Sequence, residues 1–232
     1  MTYTGSFEEK RRRLVEKLVR EGYIRSEHVK RAMLRVPREL FVPEGLRHMA
    51  YEDTPLPIGH GQTISAPHMV AMMTEFADLE PGMRVLEIGA GSGYHAAVIA
   101  EVVAPSDLPR DQWGHVYTVE RIPELAEYAR RNLDRAGYAD RVTVILGDGT
   151  KGYPSAAPYD RIIVTAAAPE VPKPLLEQLK PGGKIVIPIG DRYMQYLYIV
   201  EKLSDGRIKA RSVTPCLFVP LIGEYGWREY EY

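Results

Sequence analysis

The run Val85-Leu86-Glu87-Ile88 passes directly into Gly89-Ala90-Gly91-Ser92-Gly93, and a helical pattern begins at Tyr94 and continues to Val103. A strand that turns through glycines into a helix brings bare backbone close to a ligand, because glycine has no Cβ to keep it away. The next apolar strand, Val116-Tyr117-Thr118-Val119, ends on an acid, Glu120. An acid at that strand end can hold both hydroxyls of a ribose. The pair describes a nucleoside-cofactor site on an α/β fold. The glycine spacing narrows it further. A dinucleotide fingerprint requires G-x-G-x-x-G, whereas here the third glycine is Gly93 and Tyr94 follows it. Glu87, two residues ahead of Gly89, would repel a pyrophosphate but suits a cationic ligand or an ammonium group.

The E-x-G-x-G-x-G pattern after a strand resembles the first motif of the class I S-adenosylmethionine-dependent methyltransferases. That resemblance implies S-adenosyl-L-methionine as cofactor and S-adenosyl-L-homocysteine as product. The rest of the chain has the rhythm such a fold needs. Helical periodicity covers 6–21, 26–36 and 66–76, and Arg38 to Gly61 reads as loop because prolines and glycines interrupt it. Strands and helices then alternate: strands at 83–88, 115–120, 142–146, 159–165 and 184–188, helices at 93–103, 123–136 and 173–179. Alternation of this kind predicts a Rossmann-like, doubly wound, mostly parallel sheet with helices on both faces. Two further strand-like runs, 195–203 and 208–219, flank Asp205-Gly206 and predict antiparallel strands at the sheet edge. The loop from Ala104 to Gly114 is long for its place. The expected division is residues 1–78 as a helical, acceptor-side segment packed on the core and 79–232 as the cofactor-binding core, together one structural domain.

Bulk properties exclude several classes. Net charge is −1, so no overall basic field exists to hold nucleic acid. The basic run Lys10-Arg11-Arg12-Arg13 fits the solvated side of an amphipathic helix. One cysteine, Cys216, excludes an internal disulfide framework and suits the cytoplasm. No apolar stretch reaches membrane-spanning length. His60 and His68 have no Cys or acid at ligand spacing, so no metal site is expected. Asparagine occurs once, at Asn132, a bias that suits a hot-growing source.

The segment before the sheet identifies an acceptor. Asp53-Thr54-Pro55-Leu56-Pro57-Ile58-Gly59-His60-Gly61-Gln62-Thr63-Ile64-Ser65-Ala66-Pro67-His68 closely resembles the signature of the protein-L-isoaspartate (D-aspartate) O-methyltransferases. The likeness continues through Arg35-Val36-Pro37-Arg38, Phe41-Val42-Pro43, Gly147-Asp148-Gly149, Ala166-Ala167-Ala168-Pro169 and Lys180-Pro181-Gly182-Gly183-Lys184. It implies methyl transfer to the free carboxylate of L-isoaspartyl residues in damaged proteins and peptides. It also implies that Ser65 is the catalytic-site serine, that Thr63, Ile64 and Ser65 border cofactor and acceptor, and that Gly147 and Asp148 contact the adenine side. The full cofactor-binding set expected is Thr63, Ile64, Ser65, His68, Glu87, Gly89, Ala90, Gly91, Ser92, Gly93, Glu120, Arg121, Gly147, Asp148 and Gly149. The expected working form is a cytoplasmic monomer without nucleic-acid or membrane partners.

Plainer readings compete at single positions. Ser65 ahead of Ala66-Pro67 also fits a helix N-cap. Asp148 also fits a turn before Gly149. The alternative function is a methyltransferase acting on a small molecule or a nucleic acid. Against the latter, the fourth core strand ends Thr165-Ala166-Ala167-Ala168-Pro169, without the amide or acid that exocyclic-amine methylation uses. The acceptor chemistry is self-consistent. A free main-chain carboxylate, with a pKa of about 3.3–3.7, is ionised at neutral pH, so orientation and water exclusion are required and a general base is not.

Overall fold

The computed structural model describes residues 5–229; the last tyrosines of the Tyr225–Tyr232 tail, Tyr230 and Tyr232, lie outside them. Seven strands form one sheet in the order β5-β4-β3-β6-β7-β8-β9. They are β3 (Arg84–Ile88), β4 (His115–Glu120), β5 (Val142–Leu146), β6 (Tyr159–Val164), β7 (Leu179–Gly190), β8 (Gln195–Lys202) and β9 (Ile208–Cys216). Strands β3 to β7 run parallel, and β8 and β9 add antiparallel pairs at one edge. The helices between them are α4 (Tyr94–Val103), α5 (Pro123–Arg135) and α6 (Lys173–Gln178). After β3 the chain winds outward through β4 and β5, then returns to place β6 on the other side of β3. The crevice between β3 and β6 is therefore the topological switch point, where open α/β sheets bind ligands.

Three helices precede the sheet: α1 (Phe7–Arg20), α2 (Glu27–Arg35) and α3 (Pro67–Ala77). Ser6 and Ser26 cap the first two by accepting from the Glu9 and Val29 amides, which satisfies N–H groups a helix start leaves free. The buried faces of α1 and α2, with Leu14, Leu18 and Met33, belong to the same apolar cluster as Tyr94, Val98 and Val102 of α4. The N-terminal segment thus shares one core with the sheet. Among the described residues no helix is long and apolar enough to cross a membrane.

One expectation fails in the region read as loop. Residues 56–64 form a hairpin, β1 (Leu56–Gly59) and β2 (Gln62–Ile64). His60 and Gly61, its two-residue turn, have φ of 53° and 69°. Two positive φ values match the hairpin turn whose twist suits paired strands. Leu56, Ile58 and Ile64 are buried while Pro57 and Thr63 face out. Short 3-10 turns at Arg38–Leu40 and Glu44–Met49 fill the remainder.

The loop after α4 is held down by a buried acid. Glu101 is fully buried and accepts from Arg35, Arg141, Tyr138 and Ser106. Trp113 closes the loop by donating to the carbonyls of Pro105 and Leu108.

Candidate functional site

An open cleft of about 790 Å³, its mouth included, lies over the carboxyl ends of β3, β4 and β6. Its size suits a nucleoside-sized ligand. Four stretches of chain build its wall: Gln62 to Ser65 from the hairpin, Ile88 to Ser92 from the glycine loop, Val119 to Arg121 from the end of β4, and Val219 to Ile222. Val70, Tyr94, His95, Gly149, Thr165 and Ala166 complete it.

The glycine loop is shaped by contacts that leave little freedom. Gly89 has φ +97°, and a Cβ there would lie 2.4 Å from the Thr165 hydroxyl oxygen. That hydroxyl donates toward the carbonyls of Ile88 and Gly89 at 3.0 and 2.9 Å, tying β6 to the loop across the switch point. At Gly93, φ +86°, a Cβ would press on Leu133 and the Ala129 carbonyl of α5. Asn132, the chain's single asparagine, is buried and donates to the Ser92 carbonyl at 2.9 Å. The loop is thus braced from α5 as well as from β6.

Glu120 sits on the wall, 6% exposed. Its two oxygens accept from the Gly91 and Ile122 amides at 2.9 and 3.0 Å. Each carboxylate oxygen has a second lone pair, so the group remains able to accept from a diol while it fixes the loop. Arg121 beside it is exposed and pairs with Glu229 at 3.3 Å.

Ser65 is half-buried on the wall, and its hydroxyl makes no hydrogen bond among the described residues. The competing capping role is not realised. The N-cap of α3 is Ala66, with no side-chain cap bond, and Pro67 opens the helix. The cause is register: Ser65 lies one residue too early to reach the first free amides.

Five expected cofactor contacts stand off the wall. His68 points to Asp53, whose carboxylate meets both the His68 amide and Nδ1 at 2.9 Å. Gly93 is turned into α5, as above. Gly147 continues β5 by donating to the Glu120 carbonyl. Asp148 is engaged as a turn residue: Oδ1 accepts from the Thr150 amide and hydroxyl, and Oδ2 accepts from the Glu224 amide at 2.9 Å. Tyr225 donates its amide to Thr150, and Leu221 bonds the Ala167 backbone. Together these contacts lay the chain after β9 across the sheet end and make Val219 to Ile222 a wall.

Glu87 is fully buried beneath the loop. One oxygen accepts from Thr118 at 2.5 Å; the other has no hydrogen-bond partner, and His95 Nδ1 is 4.0 Å from it. Burial, reinforced by nearby Glu120 and opposed by the Thr118 bond, pushes the Glu87 carboxyl up to about 8. Burial alone pulls His95 down to about 3, and its Nε2 lies 3.0 Å from the Thr74 hydroxyl. His95 is therefore neutral near pH 7 and supplies no cationic acid to the cleft. A carboxylate wall residue, an unpartnered buried carboxyl oxygen under the loop and apolar Ile88 and Val119 fit a cationic nucleoside such as S-adenosyl-L-methionine.

The expected set omits Gln62, Val70, Ile88, Tyr94, His95, Val119, Thr165, Ala166 and Val219 to Ile222, all of them on the wall. Thr165 and Ala166 follow β6 directly, and strand ends at a switch point are a usable signal. The Val219 to Ile222 wall arises from long-range backbone pairing, for which the sequence has no local mark.

Comparison with known proteins agrees with this geometry. The family model for protein-L-isoaspartate(D-aspartate) O-methyltransferase matches residues 9–226. A protein-L-isoaspartate O-methyltransferase of Hyperthermus butylicus is 83% identical over 225 residues, covering 97% of this chain and 93% of its own. One of Methanopyrus kandleri is 64% identical, covering 97% and 96%. A Plasmodium falciparum structure described as a protein-L-isoaspartate O-methyltransferase in complex with S-adenosyl-L-homocysteine superposes with a TM-score of 0.80. It is 31% identical and covers 91% of this chain and 98% of that one.

Proposed function

The chain belongs to the protein-L-isoaspartate (D-aspartate) O-methyltransferase family, and from that premise we propose how its own residues carry the reaction. It is a protein repair enzyme that transfers a methyl group from S-adenosyl-L-methionine to the free carboxylate of L-isoaspartyl residues in damaged proteins. The cofactor, when bound, supplies a methyl group on a sulfonium, which leaves readily as a thioether. Everything else is positioning. Glu120 holds the ribose hydroxyls, and the loop from Gly89 to Ser92 meets the cofactor with backbone. Ile88, Val119, Arg121 and Gly149 border its base. Glu87 acts from beneath the loop through charge, and Asp148 acts by holding the chain after β9 in place.

Ser65 orients the acceptor. Its hydroxyl donates to one carboxylate oxygen and so aims the other. No residue need remove a proton, because the acceptor enters ionised, and neutral His95 is engaged with Thr74. Correct orientation of two reactants is worth roughly 7–11 kcal/mol, far more than the about 0.5–1.5 kcal/mol of one neutral hydrogen bond. The observation that carries this reading is the free Ser65 hydroxyl on the same cleft as the glycine loop.

The protein works as a cytoplasmic monomer on polypeptides, without nucleic-acid or membrane partners. The net charge of −1 supports the reading without nucleic acid, and the single cysteine the cytoplasmic one. Residues 1–78 form the acceptor-side segment and 79–232 the cofactor core; the apolar cluster shared by α1, α2 and α4 supports their union in one structural domain.

The deciding experiment uses labelled S-adenosyl-L-methionine and two peptides differing only in isoaspartyl or aspartyl linkage. Label is expected on the isoaspartyl peptide alone. Equal labelling of both would sink the assignment.

A further inference from the structure

Among the described residues Arg38 is the most deeply buried cation, with 0% of its surface exposed, and none of the ion pairs among them includes it. Its Nε donates to the Ala50 carbonyl and one terminal nitrogen donates to the Ser65 carbonyl, both at 2.9 Å. The guanidinium lies 4.8 Å from the centre of the Tyr94 ring. Its other terminal nitrogen is buried without any partner. Ser65 and Tyr94 are both wall residues, so Arg38 stands one layer behind the cleft where the acceptor serine meets the start of α4.

A buried charge without a counter-ion is expensive and is retained only for a reason. A purely structural staple would not need charge, since neutral groups can bond carbonyls and pack on a ring. Asp53 is near enough to attract the guanidinium, but no acid touches it: the Asp53 carboxylate is bonded to His68, and Glu39 to Arg11. Among the described wall residues the cleft has only one permanent cation, Arg121, and that one is exposed and paired with Glu229. The acceptor is a carboxylate that must leave water to react. We propose that Arg38 is a positioning residue for the acceptor: its fork holds Ser65 by the carbonyl, and its unpaired charge favours the incoming carboxylate from behind the wall. The inference rests on the isoaspartyl reading above.

The test separates fork from charge. Arg38→Lys keeps the charge without the planar fork, and Arg38→Gln removes the charge; Arg38→Met, which preserves the apolar stem, replaces glutamine should that variant not fold. Each is measured for melting temperature, S-adenosyl-L-methionine affinity, and KM and kcat on the isoaspartyl peptide. Loss of the charge should raise peptide KM about tenfold or more, in line with loss of an interaction to a charged group. Cofactor affinity should stay within about twofold, because Arg38 touches neither the glycine loop nor Glu120. Arg38→Lys should keep KM near wild type and lower kcat about threefold or more, since Lys is no substitute where a fork sets geometry.

A binding measurement on the unmodified enzyme completes it. The same peptide with a carboxamide in place of the free carboxylate is titrated as a competitive inhibitor. Wild type should bind the carboxylate peptide about tenfold tighter than the carboxamide. That preference should persist in Arg38→Lys and vanish in the uncharged variant. Equal affinities in wild type, or an uncharged variant with wild-type KM and preference below its melting temperature, would overturn the proposal. Failure of wild type to methylate the isoaspartyl peptide at all would instead overturn the functional reading, so the two failures are distinct.

Discussion

At the scale of single residues, Ser65 is where sequence and structure say the most together. Residue type and the following proline allow either a cap or an acceptor contact, and the register of α3 decides between them. Ala66 occupies the cap position, and Ser65 lines the cleft with a hydroxyl that is unbonded among the described residues. Removing the hydroxyl should therefore be nearly invisible to folding. Ser65→Ala and Ser65→Gly are expected to stay within about 0.5 kcal/mol of wild-type stability, as surface-type substitutions do. Turnover on the isoaspartyl peptide should fall roughly tenfold or more, the equivalent of about 1.4 kcal/mol in the barrier, with cofactor affinity unchanged. Melting temperature and methyl transfer measured on the same preparations check this. A fully active glycine variant would remove the hydroxyl from the mechanism. At Asp148 the turn reading is realised: its carboxylate accepts from Thr150 and from the Glu224 amide, which ties the chain after β9 to the sheet end.

At the scale of elements, the glycine loop and the alternating strands were legible because periodicity and turn chemistry are local signals. The hairpin 56–64 was not. Its turn is His60-Gly61, where the usual marker is Asn-Gly, and Pro55 and Pro57 mask the alternation of Leu56, Ile58 and Ile64. The sequence pattern predicts a last strand over 208–219, but the strand ends at Cys216. There Leu217-Phe218 leave the ladder so that Val219 to Ile222 can reach the cleft, and the Gln195 side chain takes over the Phe218 backbone. Only the long-range pairing of Leu221 with Ala167 explains that departure. The loop 104–114 was marked by length alone, while its anchor, Glu101, sits inside a helix with no sequence cue to its partners. That anchor is testable. Burial opposes the Glu101 charge, but bonds from Ser106, Arg35 and Tyr138 outweigh it and hold the carboxyl below its ordinary range. Removing the Glu101 charge leaves buried Arg141 with only the half-exposed Asp140 at 3.6 Å, so Glu101→Gln should cost about 3 kcal/mol. For a chain of this size that is a loss of roughly 2–4 °C in Tm per kcal/mol. Calorimetric melting should show the drop while S-adenosyl-L-methionine affinity at low temperature stays at the wild-type value. An unchanged Tm would mean that Trp113 and the Asp107 and Arg110 ion pairs hold the loop without the Glu101 charge.

At the scale of the whole molecule, two buried titratable groups beneath one loop couple the stability of the fold to pH in opposite senses. Glu87 has its pKa raised by burial from 4.5 to about 8. Its contribution is complete below the unfolded value and is lost as pH rises through about 8, because the unfolded chain ionises first. His95 has its pKa lowered by burial from 6.5 to about 3. Its contribution is complete above 6.5 and is lost as pH falls toward about 3. At neutral pH the fold therefore stores neutral His95 beside a largely protonated Glu87, at a site where a cationic cofactor favours the ionised carboxyl. The cofactor-free protein should lose a few kcal/mol between about pH 5 and 8.5 through Glu87 alone. Glu87→Gln, which copies the protonated form, should remove that decline and melt higher than wild type at pH 8.5 but alike at pH 5. The cost should appear in binding. Wild type should ionise Glu87 on taking up S-adenosyl-L-methionine near pH 7, releasing up to about one proton, visible as a binding enthalpy that changes with the ionisation heat of the buffer. The glutamine variant should bind more weakly and with no buffer dependence. Parallel melting curves for the two proteins across this range would show that Glu87 titrates alike in the folded and unfolded chain, and would overturn the coupling.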